Sequence, residues 1–171
     1  MNGAGLEISD KPRYATVLSQ RFELSVTNDA TELPRLTEWL TDIARRLGLP
    51  RDIAFRLDLC LHEAVSNVMN HGKRAEEPYP IEVHLLSESD SLTLEIEDDG
   101  IPFDPSSVTE IPPPSSLAEA KVGGWGIPLI RRFADRCHYD RRGSRNHLVL
   151  LFRRAPESEA PPNGAPPPAD R

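Results

Sequence analysis

Residues 81–100, IEVHLLSESDSLTLEIEDDG, constrain the architecture of this chain more than any other stretch. Ile81, Val83 and Leu85 alternate with polar residues, a short polar link follows, and Leu92, Leu94 and Ile96 alternate again. Strand side chains point to opposite faces with period two, so the pattern predicts a hairpin with one apolar face. That face must be covered. Two segments of helical period stand ready to cover it. Leu33, Leu36, Leu40, Ile43 and Leu47 form one stripe, which Gly48 and Pro50 stop. Leu57, Leu61, Ala64, Val65 and Val68 form another, on a helix from Arg51 to about Gly72.

RFELSVT (21–27) alternates Phe22, Leu24 and Val26 and predicts a first strand. After the hairpin, 101–122 has no periodicity, and a loop of that length inside a domain is often a functional lid. GGWGIPLIRRFADR then predicts a glycine turn opening a helix, with Ile127, Ile130 and Phe133 apolar. Strands near 137–141 and 147–153 close the order β-α-α-β-β-lid-α-β-β. The fold class is α+β, a two-layer sandwich with helices over one sheet face.

The 171 residues suit one domain. We place it at 20–154, after a flexible leader at 1–19 and before a Pro-rich tail at 155–171 that is expected to be disordered. A net charge of −7 argues against nonspecific binding to nucleic acid or anionic membranes. No apolar run approaches the roughly 20 residues of a membrane span, and the leader lacks a signal-peptide core. Cys60 and Cys137 fit no metal or CxxC spacing and read as buried free thiols. A cytoplasmic location is expected, with neither nucleic acid nor membrane as direct partner.

Three clusters carry chemistry. Glu63, Asn67 and His71 follow at four-residue intervals, which stacks them along one helix flank away from the Leu61 face. Such a row suits a solvated face as well as the wall of a site. Ser66 stands where a zinc-protease motif needs its second histidine. Asp98 continues the period-two face of Leu92, Leu94 and Ile96, so its carboxylate must find donors or stay wet. It reads either as the start of an Asp-Gly turn or as an acceptor for a ligand amine, such as that of adenine. Gly124 and Gly126 open a helix, where backbone N–H groups can meet a phosphate, although a plain helix-starting turn explains them equally.

In this order the three clusters resemble the Bergerat-fold ATP-binding domain of the GHKL superfamily. EAVSNVMNHG is similar to its N-box, DDGIPFDP to its first glycine box and GGWGIPLI to its second. Over residues 20–154 the chain most resembles the small anti-sigma factor serine kinases of the RsbW and SpoIIAB type. The resemblance implies a mixed, mostly antiparallel sheet and a mobile ATP lid. It implies ATP and Mg²⁺ as cofactors, with Glu63 as general base and Asn67 as the Mg²⁺ ligand. It further implies Asp98 as the adenine acceptor, Gly100 as the residue giving the base room, and Gly124 and Gly126 around the phosphates. Lys121 would add a charge at the end of the lid, and His71 matches the family string. Two departures stand out. Pro102 replaces a second glycine of the first box, and GSRNHLVLLF lacks the threonine that larger relatives place before the last strand.

The implied function is an ATP-dependent serine-protein kinase that sequesters a sigma factor or similar target and phosphorylates a STAS-type antagonist. A homodimer is implied too, with Arg35 and Glu38 on the first helix as partner contacts. Two alternatives remain open: a nucleotide-dependent binding module with little kinase activity, and a detached sensor histidine kinase domain. Glu63 favours the first reading, since a pure binder has no need of a base. Residues 123–154 carry eight arginines against two aspartates, a basic end that could face an acidic partner.

Overall fold

A computed structural model describes residues 19–72, 78–102, 104 and 126–154. The elements are β1 (Gln20–Thr27), α1 (Leu33–Leu47), α2 (Arg51–His71), β2 (Pro80–Ser87), β3 (Ser91–Asp98), α3 (Gly126–Phe133), β4 (Arg136–Arg142) and β5 (Arg145–Arg153). A 3₁₀ turn over Ala30–Glu32 leads into α1, capped by Asp29, whose carboxylate accepts from the Thr31 N–H at 2.9 Å. The expected leader (apart from Ser19), the tail, and nearly all of the lid lie outside the described residues.

The five strands form one sheet in the order β1-β2-β3-β5-β4, with β1 and β4 at its edges. Every pairing is antiparallel, so the sheet is more regular than the mixed one expected. The reason lies in the connection between β1 and β2. Two helices leave and return, and this brings β2 back beside β1 running the other way.

Alternation sets the two faces. Ile81, Val83, Leu85, Leu92, Leu94, Ile96, Leu150 and Phe152 are fully or almost fully buried on one face, beneath the helices. Leu36, Leu40 and Ile43 of α1 close over them, with Leu33 and Leu47 packed at the margin. The buried stripe of α2 is wider than the sequence pattern suggested: Ile53, Cys60 and Met69 join it, while Val68 is half-buried. Burial pushes the Cys60 thiol up to about 12, which leaves it an inert core group. Cys137 is also a free thiol but only half-buried, contrary to the expectation of full burial.

One contact fixes the last helix. Arg56 of α2 donates through Nε to the Phe133 carbonyl at 2.8 Å and through Nη2 to Asp135 Oδ2 at 2.7 Å. A cation at a helix C-terminus satisfies carbonyls that the helix itself leaves open. It also ties α3 to α2, and with them the two walls of the site.

Candidate functional site

The three sequence clusters meet at one end of the sheet. A cavity there is lined by Ala64, Asn67, Val68 and Gly72 from the end of α2, and by Ile96, Asp98 and Ile101 from β3 and the loop beyond it. Ile130 of α3, Tyr139 of β4, and Asn146 and Leu148 of β5 complete it. Most of this lining is apolar, with a few polar groups converging, which is the usual character of a small-molecule site.

Asp98 is the least expected residue in such a lining. Period two carries it onto the core face, and it is only 3 % exposed. Its Oδ1 accepts from the Gly100 N–H at 2.7 Å and from Asn146 Nδ2 at 2.8 Å. Burial still dominates and raises the carboxyl above its ordinary range, while Asn146, Gly100 and the Arg141 guanidinium pull the other way. Among the described residues no hydrogen bond reaches Oδ2, so that oxygen is the one left for a ligand donor.

Gly100 is required by the protein before any ligand is considered. A Cβ there would lie 2.5 Å from the Gly72 carbonyl oxygen and 2.6 Å from Asp98 Oδ1. The Ile101 N–H donates to that same Gly72 carbonyl at 2.9 Å. The loop after β3 is thereby sewn onto the C-terminus of α2. Tyr79 reinforces the joint, its hydroxyl donating to the Val68 carbonyl at 3.2 Å.

Glu63 and Asn67 are both half-buried on one flank of α2. The start of α3 comes up against them. A Cβ on Gly126 would stand 2.6 Å from Glu63 Oε2, 3.3 Å from Asn67 Nδ2 and 3.4 Å from Asn67 Oδ1. The glycine thus lets a helix N-terminus approach a carboxylate and an amide closely. His71 ends α2 on the exposed surface and does not line the cavity. Lys121 and Gly124 lie outside the described residues.

Sequence reasoning missed the back wall. Asn146 sits opposite Asp98 in the β3–β5 register and is 5 % exposed. Its Oδ1 accepts from the Tyr139 hydroxyl at 2.8 Å and from Arg141 Nη1 at 2.6 Å. Its Nδ2 also donates to the Ile101 carbonyl at 3.1 Å. A signal was present: Asn146, Leu148, Leu150 and Phe152 share one period-two face, which puts an amide where a core residue belongs.

The residues suit an adenine nucleotide. They offer an apolar slot, a buried acceptor with one oxygen that no described residue bonds, and a glycine-lined approach beside a carboxylate and an amide. Among the described residues no three His, Cys, Asp or Glu groups gather to hold a metal ion. A hard cation at Asn67 would therefore rely on phosphate oxygens and water for its other ligands.

The fold and this site define a nucleotide-binding α+β domain, and the matching family bears that out. Residues 26–152 match the histidine kinase-like ATPase domain, and the chain belongs to that family. It is similar to the serine/threonine-protein kinase BtrW of Bordetella bronchiseptica, 37 % identical over 137 residues, which covers 80 % of this chain and 95 % of that one. It is also similar to the serine-protein kinase RsbW of Listeria monocytogenes, 28 % identical over 125 residues, covering 70 % and 78 %. The RsbW of Listeria innocua is 27 % identical over the same length.

Proposed function

We propose that this chain is an ATP-dependent protein serine/threonine kinase of the anti-sigma factor type, acting by partner switching. The carrying observation is the meeting of Glu63, Asn67 and Gly126 beside a cavity whose far end holds Asp98. Asp98 accepts from the adenine amine through Oδ2. Asn67 would hold Mg²⁺ through its amide oxygen, and such a metal would supply charge to offset the phosphates. Glu63 stands one turn of α2 before Asn67, next to the start of α3. It takes the proton of the acceptor serine as the serine oxygen bonds to the γ-phosphorus and the bond to ADP breaks. Phosphoryl transfer depends mainly on positioning and electrostatics, which a rigid α2–α3 pair supplies. Lys121, Gly124 and the lid belong to the same reading, as does His71 by its place in the family string.

The acceptor is a serine on a STAS-type antagonist, and the alternative partner is a sigma factor or analogous regulator. A phosphate on the antagonist weakens its docking by charge and desolvation. The α1 surface is the docking face. Arg35 and Glu38 are exposed there, and Glu38 borders a shallow hollow with Leu33, Pro34, Thr37 and His62. His62 bonds Thr37 Oγ1 at 3.0 Å, so the hollow lies between α1 and α2, the helix that also carries Glu63. The protein works as a homodimer in the cytoplasm. No helix among the described residues is long and apolar enough to cross a membrane.

Labelled ATP, this protein and a candidate STAS antagonist test the reading together. Label on an antagonist serine is the expected result. Label on a histidine would favour the sensor-kinase alternative, and nucleotide-dependent binding with no label on any partner would favour a binding module.

A further inference from the structure

The amide of Asn146 has no hydrogen-bonding capacity left. A primary amide offers two N–H donors and two acceptor lone pairs. Here the donors go to Asp98 Oδ1 and the Ile101 carbonyl, and the acceptor sites take the Tyr139 hydroxyl and Arg141 Nη1. Two consequences follow from that count. Asn146 cannot itself contact a ligand without giving up a bond inside the protein. Nor can its amide turn over, because reversal would set its oxygen against a carboxylate and a carbonyl, and its NH₂ against a guanidinium.

Arg141 extends the clamp. Its Nη2 donates to the Ser144 carbonyl at 2.6 Å, and its Nη1 reaches the Gly100 carbonyl at 3.4 Å. The clamp therefore grips both sides of Asp98: the carboxylate through Asn146, and the turn after it through Gly100 and Ile101. One carboxylate oxygen is occupied by the protein, and among the described residues nothing bonds the other.

We propose that Asn146, held by Tyr139 and Arg141, is a positioning residue that fixes Asp98 as a one-directional acceptor and so sets the preference for an amino-bearing base over an oxo-bearing one. The proposal rests on the reading that this cavity takes the base of a nucleotide. The physical reason is simple. A fixed, ionised carboxylate oxygen accepts from an exocyclic amine and repels a carbonyl oxygen in the same place, and a site built to hydrogen-bond one group rejects its replacement strongly. A carboxylate free to rotate, or carrying a proton, could present a donor and lose that discrimination. Among the described residues, the other charged or titratable groups facing Asp98 are Asp99 beside it, Tyr79 before β2, and Tyr139 and Arg141 on β4. Among the described residues, the Asn146–Arg141 pair favours its anion from the β5–β4 side.

The test is equilibrium binding of ADP and of inosine diphosphate to the full chain between pH 6 and 8.5. Inosine carries a carbonyl oxygen where adenine carries its amine. Wild type should prefer ADP by at least tenfold, the scale of a hydrogen bond to a charged group. Asn146→Ala should lose about tenfold in ADP affinity with inosine diphosphate little changed, so the preference collapses. Its acid-side loss of ADP binding should also begin at higher pH than in wild type. A purely structural role would weaken both nucleotides alike and leave that pH limb in place. Tyr139→Phe removes a single donor to Asn146 and keeps the ring, so it should narrow the preference a few-fold without unfolding the chain. An unchanged ADP preference in Asn146→Ala overturns the proposal, as does an unchanged one in Tyr139→Phe if the alanine variant fails to fold. Should wild type bind no ADP, the nucleotide reading falls and this inference with it.

Discussion

Asp98 shows the tension of the site at the scale of one residue. Burial raises its carboxyl above the ordinary value of 3.8, so the folded chain holds that proton to higher pH than the unfolded chain does. The stabilisation is full below the unfolded value and is lost as pH rises through the folded one. Above that, the bare carboxylate costs stability that Asn146, Gly100 and Arg141 offset only in part. Asp98→Asn removes the charge and keeps an oxygen for Gly100 and Asn146. The ligand-free variant should therefore melt above wild type at pH 8, with the gain shrinking toward pH 4. Its affinity for ATP and ADP should fall by roughly 1.5–3 kcal/mol, the worth of a charge-assisted hydrogen bond. Calorimetry and paired melts check both halves, and a variant less stable than wild type at pH 8 would contradict the account of burial. Asn67→Ala should behave differently. In the proposed function it lies at the phosphate end, so Mg²⁺-dependent ATP binding should drop while metal-free ADP binding holds. Equal loss for both would show that the substitution had only disturbed α2.

At the scale of elements, two glycines that look alike in the sequence have different tasks. Gly100 faces backbone: its missing Cβ makes room for the Gly72 carbonyl and lets the β3 loop dock on α2. Backbone cannot yield, so Gly100→Ala should cost about 1–3 kcal/mol of stability, the range for overpacking a closed site. Gly126 faces the far ends of Glu63 and Asn67, which can move. Gly126→Ala should therefore melt close to wild type yet lose phosphotransfer, because the carboxylate is pushed from its place. Thermal melts beside a transfer assay separate the two, and the reverse pattern would contradict the geometry. Most elements were legible in the chain because they are written locally. The hairpin, both long helices and the α3 start each show their period within a few residues. The Asn146–Tyr139–Arg141 wall was not, because it depends on register across β3, β5 and β4, which no local pattern states. The role of Gly100 stayed hidden for the same reason, since its neighbour is Gly72. His71 was grouped with Glu63 and Asn67 by spacing and by the family string, and at the helix end it lies on the exposed surface, outside the cavity lining.

For the whole molecule, β1 is an edge strand with Phe22 and Leu24 only partly covered, and an edge of that kind calls for pairing or cover. Light scattering at tens of micromolar should find a dimer, and a monomer there would count against the homodimer. The Arg56 bonds tie the helix that carries Glu63 and Asn67 to the end of the helix that Gly126 opens. In the proposed function, α2 and α3 together transfer phosphate with Glu63 as the base. The most direct measurement compares wild type with Glu63→Gln for ATP binding and for phosphate on the antagonist serine in the same preparation. Glutamine keeps shape and hydrogen bonding but cannot accept the hydroxyl proton, and such a base contributes about 10²–10⁴-fold. The predicted result is unchanged ATP affinity in Glu63→Gln with transfer reduced by at least a hundredfold. Full serine phosphorylation by Glu63→Gln would contradict it.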